Sequence, residues 1–234
     1  MTISGIFGSS TEADSAVQAL KGQEFTDNEV SLIVRGDQHS AGARGLGAAM
    51  GSVLGMGAAT FLVPGLGPVA GVGMIAAALA GAGLGAAAGK VADKMTAGIP
   101  NDELYFYEEA VRDGQIVLFV DAKNPDRATQ ARNILEHSGA RNVHTVRRDW
   151  WQNIRESERD YARSRGLEFE PNEADYQAGF EAALHPATRG RSLAESMGYI
   201  ESCYPGPCRT EAFLIGFDRG QAYLLQRTSA REME

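Results

Sequence analysis

Between Arg44 and Lys90 the chain carries no charged residue, and the only hydroxyl side chains there are Ser52 and Thr60. No other stretch restricts the fold so strongly, because nearly all of its polarity is backbone that must be hydrogen-bonded inside whatever structure forms. PGLGP at 64–68 divides the run. In the first part Gly47, Gly51 and Gly55 stand four apart, and in the second Gly73, Ala77, Gly81, Gly85 and Gly89 keep the same interval. Residues four apart share one face of a helix, so the spacing predicts a glycine-zipper helical hairpin over 45–96. Glycine in an exposed helix costs up to about 1 kcal/mol relative to alanine. So many of them imply the close small-xxx-small approach that joins helices where side chains are absent.

The opposite faces are apolar as well, with Leu46, Met50, Val53, Leu54, Phe61, Leu62, Met74, Ile75, Leu79 and Leu84. Three covers suffice: lipid, a second copy of the chain, or the rest of the same molecule. Each half approaches the roughly twenty residues that cross a hydrocarbon core. Arg44, Lys90 and Lys94 at the mouths suit a cytoplasmic headgroup region. Glycine and alanine supply little transfer energy, however, so one hairpin inserts only marginally. A phosphate-loop reading of GLGAAMG fails, because no Lys-Ser or Lys-Thr pair follows and the glycines lie within long apolar runs.

Around this block the pattern is mixed. Ile3 to Phe7 reads as a strand, Ser10 to Lys21 as a helix capped by Ser9 or Ser10, and Val30 to Val34 as a second strand. After the block come a helix from Asp102 to Arg112, a strand from Gln115 to Val120, a helix from Pro125 to His137 and a strand from Asn142 to Val146. The two sides can share a sheet only if the ends of the insertion lie close together. From Asp149 onward the sequence is charged and helix-prone, and Tyr176, Phe180 and Leu184, like Phe213 and Phe217, recur at four-residue intervals as core stripes. The expected domains are therefore 1–44 with 97–148 as a split α/β domain, 45–96 as the hairpin, and 149–234 as a helical region.

No arrangement of side chains announces chemistry. The net charge of −8 opposes a nucleic-acid backbone, and the cluster Arg141, Arg147 and Arg148 is small, so no nucleic-acid partner is expected. His39, His137, His144 and His185 are scattered without metal-ligand spacing. The expectation is a non-enzyme without catalytic, cofactor-binding or metal-binding residues. The alternative is a small-molecule or thiol-redox enzyme that uses the sheet cleft and the pair Cys203 and Cys208 in CYPGPC. Trp150 and Trp151 follow a charged segment and form a candidate interface, either a domain seam or a membrane boundary. The N-terminal stretch lacks a basic start and an apolar core of signal length. The expected location is the cytoplasm, with inner-membrane association if the hairpin meets lipid.

Three stretches resemble the bacterial heat-induced or general stress protein domain family: GIFGSSTEADSAVQAL, GIPNDELYFYEEAVRDGQIVLFVDA after a glycine-rich insertion, and ARNILEHSGARNV. The resemblance covers about residues 1–147. It implies an α+β fold, a ferredoxin-like two-layer α/β sandwich, and a part in stress responses, with no catalytic residues to carry across. The combined expectation is a stress-associated protein that uses its hairpin for membrane association or homo-oligomerisation.

Overall fold

The computed structural model describes residues 1–35, 59–63, 67–72, 103–185 and 187–231. The chain divides into two compact units, residues 1–99 with 106–146, and residues 100–105 with 147–234.

The first unit is of the α+β class. Its elements are β1 (Thr2–Phe7), α1 (Ser10–Gly22), β2 (Val30–Arg35), β3 (Ala59–Val63), β4 (Gly67–Val72), α2 (Leu104–Arg112), β5 (Ile116–Asp121) and α3 (Pro125–His137). The five strands form one sheet in the order β1-β5-β2-β4-β3, with every neighbouring pair antiparallel. Strands β1 and β2 therefore run parallel to each other on either side of β5. Ser9 starts α1 by accepting the Glu12 amide on its side chain, and Asn124 does the same for the Arg127 amide of α3, with Pro125 in the first turn.

Alternation along the strands gives each face of the sheet its cover. Phe7, Val30, Leu32, Val34, Ile116, Leu118 and Val120 pack with Ala13, Val17 and Leu20 of α1 and with Ala131 and Leu135 of α3. The other parity of β5, Val117 and Phe119, is equally buried. On that side Tyr107 of α2 meets Phe119 edge-on at 5.0 Å and shares a hydrogen bond of 2.6 Å with Ser4. Helix α2 thus meets the face of the sheet opposite the one that packs on α1 and α3. A strand reading Ile-Val-Leu-Phe-Val is apolar in both directions and cannot leave one face to water.

The expected helical hairpin is also corrected over the residues described. Ala59–Val63 and Gly67–Val72 are paired strands, and β4 continues onto β2 from Arg35–Val69 to Leu32–Val72. Thr60, Phe61, Val63, Val69 and Val72 favour extended backbone, and the prolines at 64 and 68 disfavour a continuous helix through this stretch. Pro68 pairs with Leu62 on the β3 side, whereas the ladder to β2 begins at Val69, so its missing amide costs β2 nothing. These strands belong to the sheet of the first unit and form no domain of their own.

A second correction concerns Asn142 to Val146. Only Arg141 reaches the outer edge of β1, exchanging two backbone hydrogen bonds of 2.8 and 3.0 Å with Ile6. A Cβ at Gly5 would lie 2.9 Å from the Ala140 Cβ, so glycine is what lets this segment approach the strand. The Asn142 side chain then accepts the His144 amide at 2.8 Å, and helix α4 (Val143–Ser164) begins. Local capping there prevails over β propensity.

The second unit is helical, with α4 from Arg147 onward, α5 (Phe169–Leu184), α6 (Leu193–Cys203), a short 3-10 turn at Pro207–Arg209 and α7 (Glu211–Arg231). Ser192 and Glu195 form a reciprocal capping box at the start of α6.

Candidate interaction site

The expected packing residues Gly47, Gly51, Gly55, Gly73, Gly81, Gly85 and Gly89 lie outside the described residues. A glycine-mediated helix contact is nevertheless present elsewhere, between α5 and α7. A Cβ built on Gly179 would sit 2.0 Å from the Phe213 carbonyl oxygen, and one on Gly216 would sit 2.1 Å from the Tyr176 carbonyl oxygen. At Gly220 the distance to the Phe180 carbonyl oxygen is 2.5 Å. The obstacles are backbone atoms, which cannot swing aside. The helix axes are therefore as close as glycine allows, and Phe180, Phe213 and Phe217 are buried in the same unit.

Three carboxylates tie α4 to this pair. Arg219 of α7 donates two hydrogen bonds of 2.9 Å to Glu158, which also accepts the Tyr176 hydroxyl at 2.9 Å. Glu158 is only 1% exposed, so its full complement of donors is what makes a charge tolerable there. Burial, with the neighbouring Glu158 carboxylate, pushes the Tyr176 hydroxyl well above the usual phenol range. Glu181 accepts Arg147 Nε at 3.0 Å and Gln177 at 2.7 Å, with a second contact from Arg147 Nη2. Glu173 takes both Arg155 Nε at 2.6 Å and Trp151 Nε1 at 2.9 Å. The Arg155 hydrogen bond first, and that from Trp151 after it, hold the Glu173 carboxyl below its ordinary value.

Trp150 and Trp151, the candidate interface pair, both pack on Phe180, with centroids 5.7 and 6.0 Å away. Trp151 is buried, and Trp150 Nε1 donates to the Tyr223 hydroxyl at 3.3 Å. Cys203 and Cys208 are not joined in a disulfide. Cys208 is 1% exposed and packs with Ala182, Ile200, Phe213 and Phe217, a position with no route for an incoming substrate thiol. His185 is buried and stacks on Tyr199 at 4.6 Å, accepting the Ala187 amide on Nδ1 at 3.0 Å.

In the first unit the corresponding polar feature is Glu29. It accepts Lys123 Nζ at 2.8 Å and both the amide and hydroxyl of Thr26, at 2.8 and 2.9 Å. The Lys123 hydrogen bond, followed by those from Thr26, lowers its pKa to about 2. Arg127 crosses the adjacent loop, donating to the Gln23 and Glu24 carbonyls at 2.7 and 3.1 Å above the Phe25 ring. These contacts tie the loop before β2 to the loop after β5.

Among the described residues no set of three His, Cys, Asp or Glu side chains could hold a metal ion, and no helix is long and apolar enough to cross a membrane. The sequence reading overlooked Gly179, Gly216, Gly220, Glu158 and Arg219. The signal was present in F-x-x-G-F-x-x-G at 213–220, which carries the four-residue glycine interval inside an aromatic stripe. No protein-family model, no curated protein and no solved structure matches the chain.

Proposed function

We propose that the protein is a non-enzymatic, stress-associated factor of the cytoplasm that joins copies of itself, or meets the inner membrane, through its glycine-rich insertion. The observation that carries this reading is the uncharged run from Gly45 to Gly89, interrupted by a hairpin whose inner strand β4 is hydrogen-bonded to β2. An α/β unit that anchors such a segment in its own sheet is suited to presenting it. The stress association rests on the resemblance of residues 1–147 described above.

A ferredoxin-like reading of the first unit draws support from its topology. Parallel β1 and β2, joined through α1 and separated by an antiparallel β5, make a split β-α-β arrangement. After α3 the chain returns at Arg141 to the outer edge of β1, where a fourth strand of such a fold belongs. The thiol-redox alternative is less well supported, given the burial of Cys208.

Sedimentation of the purified chain with and without liposomes tests the proposal, repeated with Gly51→Leu and Gly85→Leu. Assembly or vesicle binding weakened by these changes supports it. A chain that stays monomeric and ignores lipid, before and after substitution, overturns it.

A further inference from the structure

We propose that His185 is a proton-sensitive latch, holding the corner between α5 and α6 closed while its ring is neutral and releasing it on protonation. The last carbonyls of α5 lack partners within the helix and are satisfied by the residues that follow. The Thr188 hydroxyl donates to the Ala182 carbonyl oxygen at 2.5 Å and Arg189 Nη2 to that of Leu184 at 2.9 Å. The Thr188 and Arg189 amides both donate to the His185 carbonyl oxygen at 3.0 Å. Gln221 of α7 clasps the far side of the turn, donating to the Thr188 carbonyl oxygen at 3.0 Å and accepting the Gly190 amide at 3.3 Å.

One contact in this corner depends on charge. Nδ1 of His185 accepts the Ala187 amide at 3.0 Å. A backbone amide only donates, so Nδ1 carries no proton and the ring is neutral, with its proton on Nε2. Imidazolium carries a proton on both nitrogens. Protonation therefore sets one N–H against another, and the contact turns from attraction to repulsion. The ring is held in place, since it is buried and stacks on Tyr199 of α6 with the planes only 19° apart.

The charged and titratable groups described around the ring give a cation little support. Arg189, on the same turn, adds a like charge. Glu181, one turn back on α5, is held by Arg147 and Gln177, and Glu195, one turn before Tyr199 on α6, is held by Ser192. Helix α7 presents the uncharged Gln221 to the turn. A cation is attracted to the Tyr199 ring face, but that attraction leaves the Ala187 amide without its acceptor. Release of the turn loosens the approach to Ser192, the cap of α6, and α6 supplies Ile200 to the cluster that buries Cys208. His185 is the only histidine of the helical unit, so it is the side chain there whose ordinary titration falls between about pH 5 and 8.

The test follows the full chain by NMR. At about pH 8 the Nδ1 resonance of His185 should be that of an unprotonated nitrogen. Between about pH 8 and about pH 5 the protection factor of the Ala187 amide, corrected for intrinsic exchange, should fall at least about threefold, in step with titration of the ring. His185→Asn supplies an oxygen that accepts the amide two residues on and takes up no proton, so its Ala187 protection should stay level. His185→Phe keeps a ring against Tyr199 without an acceptor, and its protection should be low throughout. The latch is overturned by an Nδ1 that is protonated at about pH 8, by a ring that titrates while Ala187 protection holds, or by a ring that stays neutral down to about pH 5. It is equally overturned if His185→Asn loses protection as the native chain does. The native chain alone gives the first three readings, so they stand even if a variant fails to fold.

Discussion

The insertion at 45–89 and the α5–α7 pair carry the same four-residue glycine interval, yet the described part of the insertion is a β-hairpin while α5 and α7 are closely packed helices. What separates them is the residues between the glycines. Around Gly179, Gly216 and Gly220 stand Tyr176, Glu181 and Arg219, whose long side chains anchor each helix to α4. Around Gly67 and Gly71 stand Val, Ala and Pro, which supply no such anchors, and β-branched residues favour the strand. Glycine spacing allows backbones to approach. It does not decide whether they do so as helices.

The largest effect expected from this comparison is at Gly216. Gly216→Ala places a methyl against the Tyr176 carbonyl oxygen, a clash that only separation of the two helices can relieve. A loss of about 3 kcal/mol or more is expected, at or beyond the upper end of overpacking costs. Both tryptophans of the chain, Trp150 and Trp151, lie in the helical unit, so their fluorescence during urea unfolding reports on that unit alone. An unchanged midpoint would break the comparison, because it would mean the close approach is dispensable.

Next in size is Arg219→Leu. It leaves Glu158 buried with only the Tyr176 hydroxyl at 2.9 Å and the Ser157 hydroxyl at 3.4 Å as donors among the contacts described. Breaking a buried pair by removing one partner costs about 3 kcal/mol or more, and the same fluorescence transition should show it. Restoring stability with Glu158→Gln in the same chain would locate the cost in the stranded charge.

Glu29 offers the matching test in the α/β unit, with a smaller effect. Glu29→Ala removes three accepted hydrogen bonds and should cost about 1–2 kcal/mol. Its depressed pKa makes the contribution complete above pH 4.5, the ordinary value, and progressively lost as pH falls towards about 2. The protection factor of the Thr26 amide, its exchange rate corrected for the intrinsic pH dependence, should therefore fall on acidification in the native chain but respond much less in Glu29→Ala. The tryptophan transition should be insensitive to Glu29→Ala.

Much of the fold is legible from residue order. Ser9, Asn124 and Pro125 mark the helix starts that the structure uses, and the short apolar runs of β1, β2 and β5 locate the sheet. The four-residue aromatic recurrence at Tyr176 and Phe180 likewise locates core positions. Three things were not legible. Asn142 to Val146 has strand propensity, and its helical fate depends on the Asn142 cap. The hairpin of β3 and β4 was hidden because Gly-Ala-Val sequence satisfies helix and strand patterns alike, and its pairing with β2 is a tertiary contact. The Glu158–Tyr176–Arg219 triad joins residues 18 and 61 positions apart, a relation no local pattern encodes.

The smallest prediction sharpens the comparison by using a glycine that lacks both roles. Gly198 lies in α6, and a Cβ there would meet nothing within 4 Å. It serves neither close packing, as Gly216 does, nor a turn, since only Gly114, Gly139, Gly166 and Gly190 have positive φ among the described glycines. Its remaining effect is the conformational freedom it adds to the unfolded chain, so Gly198→Ala should stabilise the helical unit by about 0.5–1 kcal/mol. One substitution chemistry, glycine to alanine, then has opposite signs at Gly198 and Gly216 within one unit, read by the same two tryptophans. If both destabilise, Gly198 has a contact that a lone methyl disturbs, and backbone proximity ceases to be the quantity that sorts these glycines.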